Sequence, residues 1–284
     1  MKKIFLIIVL VILLGYVSMI MFVNSNKKAF QIPVLMYHNI LPDEYYEGQA
    51  DTISVSAFEE QLKYFQDNNY KTLTLDEFYD WLVNGQEIPV KSVLLTFDDG
   101  FYSFHYLAEP LLEKYDMHAA CFVIGSATNE NTSLYDPLKY GTIGKDLINN
   151  HSSYVEYGSH SFGLHKEVNG KKIIKTLSIN DLREDVKKMQ DIYDFKYMTY
   201  PFNTDTDDLI KVLKENNYKL AFRGEAEMVS RKANRYQIPR IGAQNDFSKF
   251  QNIMESNEFK NRYGYGLVRK VMITIERKLG KRLF

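Results

Sequence analysis

An α/β fold of the barrel or open-sheet kind follows from three observations. Short apolar runs alternate with amphipathic stretches along most of the chain. The run at 93–97, VLLTF, is hydrophobic at nearly every position, as a strand covered on both faces must be. Polar residues stand directly after several such runs, where α/β folds place their active sites.

The elements follow in order. Residues 32–36, which include Pro33, read as a strand ending at Tyr37 and His38. Ser56 and Glu59 predict a capping box for a helix that buries Phe58, Leu62 and Phe65. Thr74 and Glu77 predict the start of a second helix, with Phe78, Trp81 and Leu82 facing inward. The 93–97 strand ends at Asp98-Asp99-Gly100. Residues 107–115 read as a helix, 119–124 as a buried strand and 125–150 as irregular. Residues 154–158 form a short strand leading into Ser159 and His160. Residues 180–193 carry Leu182, Val186, Met189 and Ile192 on one helical side. Residues 197–200 extend into Pro201, which ends that run. Asp205 or Thr206 caps a helix burying Leu209, Ile210 and Leu213. Residues 219–222 and 237–241 supply the last strands. No linker signal divides residues 26–261, which are expected to form one domain.

The two ends differ from this body. Residues 4–23 are uncharged, and about 20 apolar residues in a helix span a bilayer core of about 30 Å. A cleavable signal has a shorter apolar region and a small-residue site, so residues 1–25 are expected to form a retained signal anchor. Positive-inside bias favours a body outside the cytoplasmic membrane, with Lys2 and Lys3 before the helix and Lys27 and Lys28 after it. Residues 262–284 carry a net charge of +6, with Leu267, Val271, Ile275, Leu279 and Leu283 at every fourth position. This predicts a basic amphipathic helix, lying on an anionic membrane surface or packed on the body. The body carries a net charge of −9, which argues against nucleic acid as a partner. A single cysteine, Cys121, excludes an intrachain disulfide framework and a zinc ribbon.

Two clusters carry candidate chemistry. Asp98 and Asp99 follow a buried strand, where a turn cap and a ligand are both open readings. His160 and His165 lie five apart in a loop bearing Gly and Ser. On a helix that spacing would splay them by about 140°, whereas a loop can turn both to one point. One carboxylate, two histidines and an open position form a catalytic zinc arrangement. Surface histidines remain the alternative. His105, His118 and His151 have local structural readings, and Cys121 reads as a buried thiol.

TFDDG at 96–100 and SHSFGLH at 159–165 resemble the first and second motifs of the polysaccharide deacetylases, the NodB-like enzymes of carbohydrate esterase family 4. PVLMYHNI at 33–40 and the longer H-x4-H spacing resemble the poly-N-acetylglucosamine deacetylase branch, and YPF at 200–202 resembles the third motif. The resemblance spans about residues 32–241. It implies a distorted (β/α) barrel with fewer than eight regular strands. It implies that Asp99, His160 and His165 hold one divalent metal ion, Zn²⁺ or a similar ion. Asp98 would be the catalytic base, His38 the general acid, and the Phe202 backbone N–H an oxyanion donor. The implied reaction is N-deacetylation of an extracellular N-acetylhexosamine polymer, poly-β-1,6-N-acetylglucosamine in this branch. Peptidoglycan or another glycan, as N- or O-acetyl substrate, is the alternative, as is a decayed glycan-binding protein. Tyr37, Tyr200 and Phe202 have equal readings as sugar-facing or core aromatics.

Several positions depart from the family pattern. Thr199 stands where most members have Arg, and Asn203 where Gly is usual. AFRGEAEMVSR contains no clear Asp-Trp fourth motif, and no histidine follows His165. His38 answers the last absence. Arg240 and Arg223 are the candidates for the missing guanidinium.

Overall fold

The computed structural model of the chain describes residues 28–263 and the isolated Gly15. Seven parallel strands form the barrel: β1 (Val34–Tyr37), β2 (Ser92–Phe97), β3 (Ala119–Val123), β4 (Val155–Ser159), β5 (Tyr197–Thr199), β6 (Leu220–Gly224) and β7 (Ile238–Gly242). Each pairs with the next in chain order. β7 then pairs back to β1 through Ile241–Leu35 and Gly242–Met36, which closes the sheet. Closure removes the exposed edges of an open sheet. The strand count is below eight, as the resemblance implied. A short strand at Lys71–Thr72 adds to the first half of β2.

β2 and β3 are buried at every position. Their alternate residues enter different cores. Val34, Leu94, Ala120, Phe122, Leu220, Phe222 and Ile238 pack together with Phe78 and Trp81. The intervening Leu35, Leu95, Phe97, Cys121 and Val123 pack with Phe58, Leu62 and Phe65 of α1 (Val55–Asp67). The period of two therefore separates a barrel-interior face from a face covered by helices. α2 (Leu75–Tyr79) closes the N-terminal end of the barrel. Its first N–H, at Leu75, donates to Glu156 of β4 at 2.7 Å.

The helix starts test the cap readings. Thr74 and Glu77 do form a capping box, and Thr206 accepts the Leu209 N–H. The Ser56–Glu59 box does not form. The cap of α1 is Ser54, whose hydroxyl accepts the Ala57 N–H, while Ser56 sits inside the first turn and its hydroxyl donates to Asp43. Phe58, Leu62 and Phe65 remain the buried face, because shifting the cap leaves the helical period unchanged. Leu82 is only partly buried. The helix expected at 107–115 begins earlier, in a wide π-type turn at Phe104–Ala108, and continues as α3 (Glu109–Lys114). Residues 125–150 include a short helix, α4 (Lys145–Asn149). α5 (Ile179–Gln190) buries Leu182, Val186 and Met189, but Ile192 lies beyond its end and is exposed. α6 (Asp207–Glu215) buries Leu209, Ile210 and Leu213.

α7 (Phe247–Tyr263) extends two residues past the expected end of the domain. Its buried Asn261 accepts the N–H groups of Phe30 and Gln31 at 2.8 and 3.0 Å and donates to the Gln31 carbonyl at 2.9 Å. These bonds fasten the entry to β1 against the last described helix. The apolar stretch at 4–23 and most of the basic tail at 262–284 lie outside the described residues. Among the described residues, no helix is long and apolar enough to cross a membrane.

Candidate active site

The interior faces of the strands lead upward to the site. Leu94 and Thr96 are followed on the same face by Asp98, Val34 and Met36 by His38, and Gly158 by His160. Gly158 is required there: a Cβ at this position would stand 2.5 Å from the ring of Phe122. Ile238 is followed by Arg240, which lies within β7 itself.

Asp99 lies just past β2 in the left-handed region, with φ of 69°, followed by Gly100 at 68°. An Asp tolerates this conformation better than most residues. Here it accompanies the meeting of Asp99 with the histidine loop. Asp99 Oδ1 is 3.4 Å from His160 Nε2 and 3.5 Å from His165 Nε2. One ligand atom from each residue lies within 4.8 Å of the others. Asp99 Oδ1 is buried and has no hydrogen-bond partner. Such an unpaired anionic oxygen is costly unless a cation meets it.

The nitrogen on the other side of His160 is fixed. His160 Nδ1 is 3.0 Å from the Thr199 carbonyl and 2.6 Å from its hydroxyl. A carbonyl only accepts, so Nδ1 carries the proton and Nε2 faces Asp99. Metal-binding histidines show this pattern of an anchored second nitrogen. Thr199, a departure from the family pattern, therefore has a local role. The donor set fits a divalent ion: one carboxylate oxygen without a partner and two imidazole nitrogens, converging on one point. Burial disfavours charge on His160, but Asp98 and Asp99 outweigh it and raise its pKa. Burial, then the neighbouring His160, lowers that of His165. For Asp99, burial opposes ionisation, yet His160 turns the balance and lowers its pKa.

Asp98 faces a different environment. It is 2% exposed, and Arg240 is 0% exposed. Arg240 donates from both terminal nitrogens, to Oδ1 at 2.8 Å and to Oδ2 at 2.6 Å. This is a bidentate, charge-assisted pair. Burial alone would raise the pKa of Asp98; Arg240, with help from His160, holds it far below the usual carboxylate range. Arg240 also reaches Thr96 Oγ1 and Asn203 Oδ1 at 3.3 and 3.4 Å. Arg240, not Arg223, thus supplies the guanidinium beside Asp98. Arg223 pairs with Asp205 and Glu225. His38 Nε2 lies 4.0 Å from Asp98 Oδ2, and His38 lines a small pocket with Asp51, Thr52 and Gly242.

Phe202 has φ of 54°, a strained value for a bulky residue. Its ring stacks on His165 with centroids 4.1 Å apart, so it is neither a plain core aromatic nor free in solvent. Tyr37 and Tyr200 are core residues. The Tyr37 hydroxyl donates to Gln61 at 2.6 Å, and that of Tyr200 to the Tyr236 carbonyl at 2.9 Å. His105 pairs with Glu109 one turn along, and Cys121 is buried. His118 and His151 make ring contacts with Tyr154 and Tyr157.

A closed parallel barrel with an Asp-Asp pair and two histidines at its C-terminal mouth defines an α/β barrel protein with a candidate metal centre, and comparison with known proteins makes the class specific. The polysaccharide deacetylase family profile matches residues 85–221. The poly-β-1,6-N-acetyl-D-glucosamine N-deacetylase of Staphylococcus aureus is 30% identical over 203 residues, covering 67% of each chain. The chain belongs to the polysaccharide deacetylase family. Among solved structures, IcaB from Ammonifex degensii superposes with a TM-score of 0.67 at 22% identity, covering 81% of this chain and 98% of that one. The Streptococcus pyogenes deacetylase PplD gives 0.66 at 21%, covering 79% and 98%. Both share the fold. The profile match includes Asp98, Asp99, His160 and His165, but His38 and Arg240 lie outside it.

Proposed function

We propose that this protein is a metal-dependent N-deacetylase acting on an extracellular N-acetylhexosamine polymer, with poly-β-1,6-N-acetylglucosamine as the favoured substrate. The observation that carries the reading is the convergence of Asp98, Asp99, His160, His165 and His38 at one mouth of the barrel. The Staphylococcus relative supports the polymer. The uncharged length at 4–23 supports a retained anchor, and a glycan-polymer substrate supports a body outside the cytoplasmic membrane.

Asp99, His160 and His165 would hold one divalent ion, Zn²⁺ or a similar ion. When bound, that ion supplies Lewis-acid polarisation of the acetyl carbonyl and acidifies nearby water. Asp98 takes the proton from the attacking water. Arg240 keeps Asp98 ionised and fixes both its oxygens, and the same contact lowers its proton affinity. Asp98 is therefore a base that holds a proton only briefly. The Phe202 N–H, carried by its left-handed turn, is assigned to the developing oxyanion. The amine cannot leave as an anion, and His38 supplies its proton.

Acetate release from acetylated glycans of defined linkage tests this reading, using the purified full chain and its D98N variant. The fastest release is expected from the β-1,6-linked N-acetylglucosamine oligomer, with D98N nearly inactive. Metal-loaded protein that releases acetate from no glycan would leave only the decayed, glycan-binding reading.

A further inference from the structure

The loop between His160 and His165 has a carboxylate anchor that lies outside all three motifs. Asp185 sits on α5 beside Leu182, Val186 and Met189, on the buried side of the helix. A carboxylate in such a stripe needs partners. Its partners are two consecutive backbone groups of the histidine loop: Phe162 N–H donates to Oδ2 at 2.9 Å and Gly163 N–H to Oδ1 at 2.7 Å. These are the two central residues between His160 and His165.

The rest of the loop is held by neutral contacts. Ser161 N–H donates to Ser159 Oγ, and Leu164 N–H to Ser161 Oγ. The Ser161 and Phe162 carbonyls accept from Gly125 and Ser126 at 3.0 and 2.8 Å. Ser161 is itself left-handed, with φ of 67°. A loop bent this sharply presents adjacent N–H groups on one side, and one carboxylate satisfies both. The two histidines are not equally secured. His160 has its own anchor in Thr199, whereas His165 is placed by the loop and the stacked ring of Phe202.

We propose that Asp185 is a positioning residue for the metal site: its grip on Phe162 and Gly163 sets the loop so that His165 faces Asp99 together with His160. The inference rests on the assignment of Asp99, His160 and His165 as ligands. Asp185 touches neither ion nor substrate in this scheme. It acts from the far side of the loop, through two backbone hydrogen bonds.

The test compares wild type, D185A and D185N as full chains, with Zn²⁺ alone as the probe in competition with a chromophoric chelator. The visible spectrum of the Co²⁺-substituted protein and thermal unfolding of the metal-free protein accompany it. Residues that orient metal ligands typically contribute about 10–100-fold in affinity. D185A should lose Zn²⁺ affinity in that range, with an altered Co²⁺ spectrum. D185N retains one carbonyl acceptor but sets its NH2 against the other N–H, so it should also lose affinity while keeping side-chain volume. D185N carries the test if D185A does not fold. A variant with lowered unfolding temperature but wild-type Zn²⁺ affinity and Co²⁺ spectrum would show a purely structural clamp and overturn the proposal. Wild type that fails to bind Zn²⁺ or Co²⁺ would overturn the ligand assignment, and this inference with it.

Discussion

Replacing Arg240 with Met removes the guanidinium while keeping much of the side-chain length. Both partners of the Arg240–Asp98 pair are almost fully buried, and two short hydrogen bonds join them. Removing one member of a buried pair costs about 3–5 kcal/mol, because the other charge is stranded. The cost should depend on pH. In wild type, the folded-state pKa of Asp98 is depressed, so its stabilising contribution is fully present above the unfolded value of about 4 and is lost only in strong acid. In R240M, burial remains without its main opposing charge, so the folded pKa should rise towards or above the unfolded one. Wherever it stands above, the folded state binds the extra proton, and stability falls as pH rises through that window. Each unit of displacement is worth about 1.4 kcal/mol. The penalty of R240M should therefore be larger at pH 7 than at pH 4.5. Urea unfolding of both proteins with chelator present, at several pH values, measures it. A penalty under about 1 kcal/mol at pH 7, or one that does not vary with pH, would refute the reasoning. R240K should fall between the two, since Lys keeps the charge but not the planar fork.

Three further outcomes are expected. H38A should fold and retain metal while losing about 10²–10⁴-fold in rate on an N-acetyl amide, and less on an activated ester; H165A should lose both metal and activity, and metal analysis with paired rate assays separates them. S54A should destabilise the protein by about 1 kcal/mol by removing the α1 cap, whereas S56A should change it by under about 0.5 kcal/mol, as denaturant titration will show. Protease added to wall-stripped cells should cleave the body; full protection that lysis abolishes would place it on the other side of the membrane.

The strands were legible where burial on both faces demanded continuous apolar sequence, as in VLLTF and AACFV. Asp98, Asp99 and His160 stand just past buried strands, but that position left turn-cap and surface readings open; the TFDDG and SHSFGLH motifs, through their family resemblance, are what grouped them with His165. Arg240 was harder to assign. It lies inside a strand, after a proline, and only barrel closure places it opposite Asp98, 142 residues away in sequence. Asp185 was missed, although a signal existed: an acid at the position between Leu182 and Val186 breaks an otherwise apolar stripe. Ser56 and Glu59 match the capping-box spacing, but the Ser56 hydroxyl is taken by Asp43, 13 residues away and beyond a local pattern, and Ser54 caps the helix instead. Short pairs such as Lys71–Thr72 carry too few residues to show any period.

The seam where β7 meets β1 has a consequence for biosynthesis. His38 follows one seam strand and Arg240 lies in the other, and both flank Asp98. A nascent chain lengthens from its N-terminus, so His38 and the Asp98-Asp99 pair exist long before Arg240 has been added. Until then the sheet is open along β1, and Asp98 has neither its guanidinium nor the enclosure that the closing strand provides. The site is thus completed by the arrival of the last strand. A chain released early, short of residue 240, would carry all six histidines yet lack both the closing strand and the guanidinium that holds Asp98, so it could not assemble this mouth of the barrel.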